Sequence, residues 1–339
     1  MKSSPAEPAD LFARIAENAV QSENALRSDL AAALRDSDPL LQEVLEYALL
    51  GGGKRLRSFL TTICAQLCGG GEMEPLQFVA AAFEYLHTAT LIHDDVIDHA
   101  ASRRGQASVV RRYGMTAAIL AGDWLHARSM RLIGSLAGAQ ALKVFCTATA
   151  DMVDGEFLQM RHAEDMAMTE EQYLTVIKKK TARLIRAACA VGALHGQGSP
   201  EQVAALALYG EKIGIAFQIA DDLLDYLGDE QQTGKQAGND FVEGKMTLPL
   251  LHALRHATTQ DRELLRRSLA DDQRRQSHIF AAVRSVLVQS GSFVYCRKRA
   301  EEEIEEGLAA LTCFHQQEEQ QADIAVLRDL ADYVLSRNH

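Results

Sequence analysis

Along most of its length the chain places apolar residues three and four positions apart, the spacing of one face of an α-helix. Leu41, Val44, Leu45, Ala48 and Leu49 form one such stripe, and Phe217, Ala220, Leu224 and Leu227 form another. Strict alternation and runs of Val, Ile and Thr, the marks of strands, are absent. Prolines stand only at 5, 8, 39, 75, 200 and 249, so residues 76–199 contain none. Proline interrupts helices, and this stretch is rich in Ala, Leu, Met and Arg, so it reads as consecutive helices. Segments 187–194 and 203–208 are apolar nearly all round, which predicts helices buried inside a large bundle. The predicted fold is all-α.

Glycines punctuate the pattern at 51–53, at 69–71, at Gly105 and Gly114, and between 196 and 200. The longest break, 228–244, is polar and glycine-rich. No break is long enough to separate two folding units, which predicts one domain over residues 1–339, with 1–9 disordered. The arginine-rich stretch 255–278 reads as a solvated helix face.

Composition changes this picture little. Of 339 residues, 47% are hydrophobic and 24% charged, the balance of a folded chain. The net charge of −11 argues against nucleic acid as a partner, because phosphate backbones are bound by clustered cations. No uncharged apolar run approaches the ~18 residues of a membrane span, and the first residues lack the apolar core of a secretory signal. The six cysteines, at 64, 68, 146, 189, 296 and 313, show neither CxxC nor zinc spacing, which predicts a reduced, cytoplasmic chain.

One internal repetition carries chemistry. Leu91-Ile-His-Asp94-Asp95-Val-Ile-Asp98 parallels Ile219-Ala-Asp221-Asp222-Leu-Leu-Asp225. On a helix, residues four apart lie about one turn, ~5.4 Å, apart on one face. Asp94 and Asp98 therefore project together, as do Asp221 and Asp225. Neither cluster contains Lys or Arg to offset the repulsion. One such cluster alone is as readily a solvated acidic turn. Two, each bordered by apolar residues that want burial, point to a divalent cation. Oxygen-only ligands suit a hard ion, and Mg²⁺ typically takes one or two carboxylates together with substrate phosphates.

Cations cluster nearby. Gly51-Gly52-Gly53-Lys54-Arg55-Leu-Arg57 sets Lys54 and Arg57 on one face of a helix that opens after glycines. It does not match the Walker pattern. Arg103-Arg104-Gly105 follows the first acidic cluster, and Lys235 and Lys245 follow the second. Taken singly, each reads as a solvated basic stretch. Their placement beside acidic clusters suggests a diphosphate held through bridging metal and direct Lys/Arg contacts, which reconciles an acidic protein with a polyanionic ligand.

These residues resemble the trans-isoprenyl diphosphate synthases. The resemblance runs in order from about residue 40 to 255. It takes in Gly52-Gly-Lys54-Arg-Leu-Arg57, Glu84-Tyr-Leu-His87, the first acidic motif, Arg103-Arg104-Gly105 and Gly122-Asp123. It continues through Gly155-Glu156-x-x-Gln159, Lys180-Thr181-Ala182, Gln218-Ile-Ala-Asp221-Asp222-Leu-Leu-Asp225, Thr233-Gly-Lys235 and Gly244-Lys245. It implies a single helical bundle around a central apolar cavity, with the two aspartate-rich helices at its mouth. Asp94, Asp98 and Asp221 would bind a cluster of up to three Mg²⁺ on the allylic diphosphate, with Asp95, Asp222 and Asp225 in support. Arg103, Lys180 and Lys235 would contact that diphosphate, and Lys245 would close over it. Isopentenyl diphosphate would be held by Gly53, Lys54, Arg57, His87 and Arg104, while Thr181 and Gln218 would lie near the developing allylic cation. A homodimer is implied as well.

Small residues on the helix before Asp94, namely Ala80, Ala81, Ala82 and Ala89, leave room for a long product; packing helices closely is the alternative use of such residues. Met130 and Ile133 are candidates for a deeper floor. The resulting expectation is an octaprenyl-type product made from farnesyl diphosphate for a quinone side chain. The alternatives are a short-chain (C15 to C20) synthase, a class I terpene cyclase and a non-catalytic modulating subunit. A cyclase fits less well because the second motif keeps the form DDxxD, and a non-catalytic subunit would usually have lost acidic ligands. Ser58, where many relatives have Pro, and Gln106-Ala107, in place of a common x-Pro, are departures that affect loop stiffness.

Overall fold

A computed structural model of the chain describes residues 8–103, 105–228, 237–271, 274, 276–314 and 318–336. The described elements are helices joined by short breaks: α1 (Pro8–Ala33), α2 (Pro39–Leu49), α3 (Leu56–Leu67), α4 (Met73–Ile97), α5 (Val109–Tyr113), α6 (Met115–Leu136), α7 (Gly138–Arg161) and α8 (Glu170–Ile177). A π-helical segment, Lys178–Ala182, leads into α9 (Arg183–His195). Then follow α10 (Pro200–Leu227), α11 (Asn239–Val242), α12 (Leu248–His256), α13 (Thr259–Leu269), α14 (Ser277–Gln289), α15 (Ser292–Ala310) and α16 (Glu318–Ser336). A two-residue hairpin, β1 (Ser102–Arg103) with β2 (Gln106–Ala107), pairs Ser102 with Ala107 and Arg103 with Gln106. The all-α expectation holds.

The helix starts follow local chemistry. Asp38 accepts the Leu40 N–H at 2.8 Å ahead of Pro39, and Thr169 and Gln172 form a reciprocal capping box on α8. Ser108 caps α5 through the Arg111 N–H. Proline at 200 and 249 falls in first turns, where its missing N–H costs nothing.

The chain divides into two compact units. The first is Met1–Thr147, Ala187–Ala207 and Cys313–Leu327; the second is Ala148–Arg186, Leu208–Thr312 and Arg328–His339. The boundaries fall inside α7, α9, α10 and α16 and inside a 3₁₀ turn, Leu311–Phe314.

In the first unit α4 packs against α6, α3 and α1. Its Val79, Ala80, Ala81, Ala82 and Phe83 are fully buried, and Phe83 meets Phe145 edge-to-face at 5.2 Å. Tyr85 donates to Asp29 of α1 at 2.9 Å, and Arg128 of α6 donates to the same carboxylate. A buried carboxylate is tolerated here because both partners reach it. In the second unit α12 packs on α15, α13, α14 and α8. Tyr226 of α10 stacks on Phe280 of α14, and Lys212 pairs with Glu303 and Glu306 of α15.

Several expectations are refined. α1 begins at Pro8, inside the stretch 1–9 expected to be disordered; residues 1–7 lie outside the described residues. Segment 187–194 is almost wholly buried, but Leu208 at the end of 203–208 is 38% exposed, so that turn faces outward. The stretch 255–278 is not simply solvated: Leu265 and Leu269 bury one face of α13. Arg274 donates to the Val242 carbonyl and pairs with Glu164 at 2.6 Å. All six cysteines are free thiols. One described helix, α10, is long and apolar enough to cross a membrane, with 61% of its most apolar window buried within the protein. The bent pair His278–Gln289 and Ser292–Phe314 passes the same test of length and composition.

Candidate active site

The first acidic motif occupies the last turn of α4, and the second occupies the last two turns of α10. The C-terminus of a helix carries partial negative charge, so carboxylates there are disfavoured. Both clusters therefore stand where a cation gains most.

Within each motif the carboxylates divide. In the first, Asp98 is exposed and Asp94 half-buried, whereas Asp95 is 2% exposed and accepts a 2.7 Å bond from Arg103 Nε. Burial pushes the Asp95 carboxyl above its ordinary range, and Arg103 works against that shift. In the second motif Asp221 is exposed, whereas Asp222 is buried. Asp222 accepts from the Tyr173 hydroxyl at 2.7 Å and from Gln218 Nε2 at 2.8 Å. Burial and neighbouring Asp240 raise its carboxyl well above the usual value, against those two donors. Asp225 accepts the N–H groups of Asn239 and Asp240, both at 3.1 Å; burial and Asp240 together push its carboxyl up to about 7. The second aspartate of each motif is thus turned inward and committed to protein partners. Asp94, Asp98 and Asp221 are the more open oxygen donors. In each unit such oxygen donors are of the kind Mg²⁺ takes, an ion that retains several waters.

The basic residues fall in two groups. In the first unit, Gly52 and Gly53 (φ +80° and +136°) lead into exposed Lys54 and half-buried Arg57 at the start of α3. His87 is half-buried on α4, two turns before Asp94. The hairpin carrying Arg103 is fastened to α2 by a 2.7 Å bond from the Tyr47 hydroxyl to the Ala107 carbonyl. A cavity of about 60 Å³, lined by Tyr47, Thr88, Asp95, Arg103 and Ser108 among others, lies beneath it.

In the second unit, Lys180 pairs with Glu156 of α7 at 2.5 Å, and Lys245 pairs with Glu243 at 2.7 Å and Asp240 at 3.3 Å. Each of these cations is already held by a carboxylate. Arg104 and Lys235 lie outside the described residues.

Lys180 and Thr181 sit in the π-helical segment. Its backbone meets two glycines. A Cβ at Gly155 of α7 would lie 2.6 Å from the Lys180 nitrogen, and one at Gly214 of α10 would lie 2.7 Å from Ala182 Cα. Only glycine permits both approaches. Thr181 donates to Gln218 Oε1 at 2.8 Å, completing a chain Thr181–Gln218–Asp222–Tyr173. The sequence pointed to Thr181, Gln218 and Asp222 but not to Tyr173, Asp240 or Glu243. Those partners lie outside the repeated motif and carry no spacing signal of their own.

Of the chain-length candidates, Ala89 is 2% exposed on α4, and on α6 Ile133 is fully buried and Met130 half-buried.

A family profile described as polyprenyl synthetase matches residues 38–286, most of the chain. The chain belongs to the polyprenyl synthetase family. Octaprenyl diphosphate synthase of Escherichia coli (strain K12) is 39% identical over 272 residues, which is 80% of this chain and 83% of that protein. A short chain isoprenyl diphosphate synthase of Methanothermobacter thermautotrophicus is 36% identical, covering 87% of this chain and 89% of that one. Among solved structures, a decaprenyl diphosphate synthase from Rhodobacter capsulatus superposes with a TM-score of 0.86 at 35% identity, over 97% of this chain and 99% of that one. Membership of the polyprenyl synthetase family makes the chain a prenyltransferase, as the resemblance implied.

Proposed function

We propose that this polyprenyl synthetase condenses an allylic diphosphate, farnesyl diphosphate, with successive isopentenyl diphosphates to give a long all-trans product of octaprenyl type, destined for a quinone side chain. The observation that carries the long-chain reading is the set of small, buried side chains on α4: Ala80, Ala81, Ala82 and Ala89 add no bulk to the helix that leads to Asp94. Ala89, Met130 and Ile133 would line the path of the growing chain.

Magnesium, when bound, would stabilise charge on the departing diphosphate as a Lewis acid. Asp94, Asp98 and Asp221 would hold it, with Asp225 beside them, while Asp95 and Asp222 act by orienting Arg103 and Gln218. Arg103, Lys180 and Lys235 would bind the allylic diphosphate, and Lys245 would close over it. Gly53, Lys54, Arg57, His87 and Arg104 would hold isopentenyl diphosphate. Thr181 and Gln218 present oxygen dipoles to the allylic cation, and the apolar residues bordering each motif keep water away. The proton lost after attack by the alkene goes to the departed diphosphate, so no side-chain nucleophile is needed.

A shorter product, C15 to C20, is the second reading. Tyr85, one turn before Ala89, is a fully buried ring fixed by Asp29 and set against Trp124. The archaeal short-chain relative also favours it. Supplying farnesyl diphosphate, isopentenyl diphosphate and Mg²⁺, then separating the dephosphorylated products, decides between them. Products beyond C35 support the long-chain reading, and a product stopping at C20 rejects it.

Two further elements belong to this proposal. Residues 1–339 act as one domain, because unit boundaries inside continuous helices are unlike the exposed linkers that divide domains. The enzyme is a cytoplasmic homodimer: Val153, Phe157 and Met160 form an exposed apolar stripe along α7 that suits a partner surface, and all six thiols are free.

A further inference from the structure

The basic loop Gly51–Arg57 contains a third cation, which is buried within the protein. Arg55 adopts the left-handed conformation (φ +49°, ψ +41°), and its side chain is only 4% exposed. Its guanidinium donates to the Leu49 carbonyl, at the end of α2, at 2.5 Å and to Glu84 of α4 at 3.4 Å. Glu84 is equally buried, and its other oxygen accepts the Ser58 N–H at 3.2 Å. Arg55 provides no side-chain cap for α3. A carboxylate borrowed from α4 supplies one instead, in the first turn where N–H groups need an acceptor.

Three elements are therefore tied through the Arg55–Glu84 pair: the end of α2, the start of α3 and the middle of α4. Lys54 and Arg57 flank this knot in sequence, and His87 lies three residues beyond Glu84 on the same helix. The unusual backbone at Arg55 sends its side chain inward while Lys54 stays exposed. A left-handed non-glycine residue is strained and persists only where its surroundings over-determine it. The pair with Glu84 supplies that constraint. Ser58 adds to it, because a proline there would have no N–H to give Glu84.

We infer that Glu84, acting through Arg55 and the Ser58 N–H, is the positioning residue that sets Lys54 and Arg57 for the diphosphate of isopentenyl diphosphate. This rests on the prenyl-transfer reading above. Displacing binding groups by about 1 Å is enough to weaken their action severalfold or more. The effect should therefore fall on one substrate only.

Two variants test it: Glu84→Gln, which removes the charge but keeps the shape, and the double replacement Arg55→Met with Glu84→Leu, which fills the space with apolar volume. In both, KM for isopentenyl diphosphate should rise about tenfold, while kcat and KM for farnesyl diphosphate stay within about twofold of wild type. Circular dichroism establishes that each variant is folded, and if Glu84→Gln is not, the double variant decides alone. An unchanged KM for isopentenyl diphosphate in a folded variant, or an equal rise for both substrates, overturns the inference. If the wild type itself does not turn over, the prenyl-transfer reading falls instead. Calorimetric titration of inorganic pyrophosphate then judges the pair: binding about tenfold weaker in the double variant supports it, and equal affinity overturns it.

Discussion

Gln218 and Asp222, one turn apart on α10, share a 2.8 Å hydrogen bond in which the amide nitrogen donates. That bond fixes which way the amide faces, and so it leaves Gln218 Oε1 to accept from Thr181. Gln218→Leu should remove the acceptor of Thr181 and one donor of buried Asp222 together. The expected result is a fall in kcat of about 10- to 100-fold with little change in KM for isopentenyl diphosphate, measured by steady-state kinetics.

Asp98 is exposed at the end of α4, one turn from Asp94. Like charges at that spacing oppose the helix, as does the helix dipole. Asp98→Asn should therefore leave the melting temperature unchanged or slightly raised while turnover drops about 10²-fold or more. A residue kept for the fold would show the opposite pair of effects. EDTA should likewise stop wild-type turnover and leave the far-ultraviolet circular dichroism spectrum intact.

Gly155→Ala should place a methyl group against the Lys180 nitrogen, a backbone atom that cannot swing aside. Overpacking of this kind costs about 1–3 kcal/mol. The expected outcome is a lower unfolding midpoint in urea together with a weaker affinity for the allylic diphosphate.

His252 is stacked at 4.4 Å on both His256 and Tyr295, and its Nδ1 meets Ser292. Burial and the neighbouring His256 lower its pKa, against an opposing pull from Glu170. A histidine whose folded value lies below its unfolded value of about 6.5 binds fewer protons when folded. Stability is thus fully present above that value and is lost as pH falls below it. His252→Gln should flatten this acid limb in thermal melts between about pH 7 and pH 5, while the wild type keeps its slope.

The helical period, the two DDxxD repeats and the glycine breaks were all legible, because each is a local pattern. What the repeats concealed was the division among their carboxylates. Asp95 meets Arg103, which the hairpin folds back onto α4, and Asp222 meets Tyr173 from 49 positions away. Equivalent residues in a motif acquire different roles only when distant chain segments arrive. Arg274 was similarly hidden: in a polar stretch nothing distinguishes the one arginine that reaches the Val242 carbonyl and Glu164 from those that face water. The π-helical segment was illegible for another reason. Lys178-Lys-Lys-Thr-Ala182 has the composition of an ordinary helix, and the widened turn is set beside glycines on α7 and α10.

That widened turn has a bearing on how the sequence can change. The additional residue is taken up by widening the one turn, so the helix on either side keeps the phase of a regular helix. Deleting a single lysine from 178–180 would let the turn return to the regular α-helical form, leaving Arg183 and Arg186 close to Glu211 but removing the widened turn that carries Lys180 and Thr181. The fold would therefore tolerate a loss of length here that the placement of Lys180 and Thr181 would not.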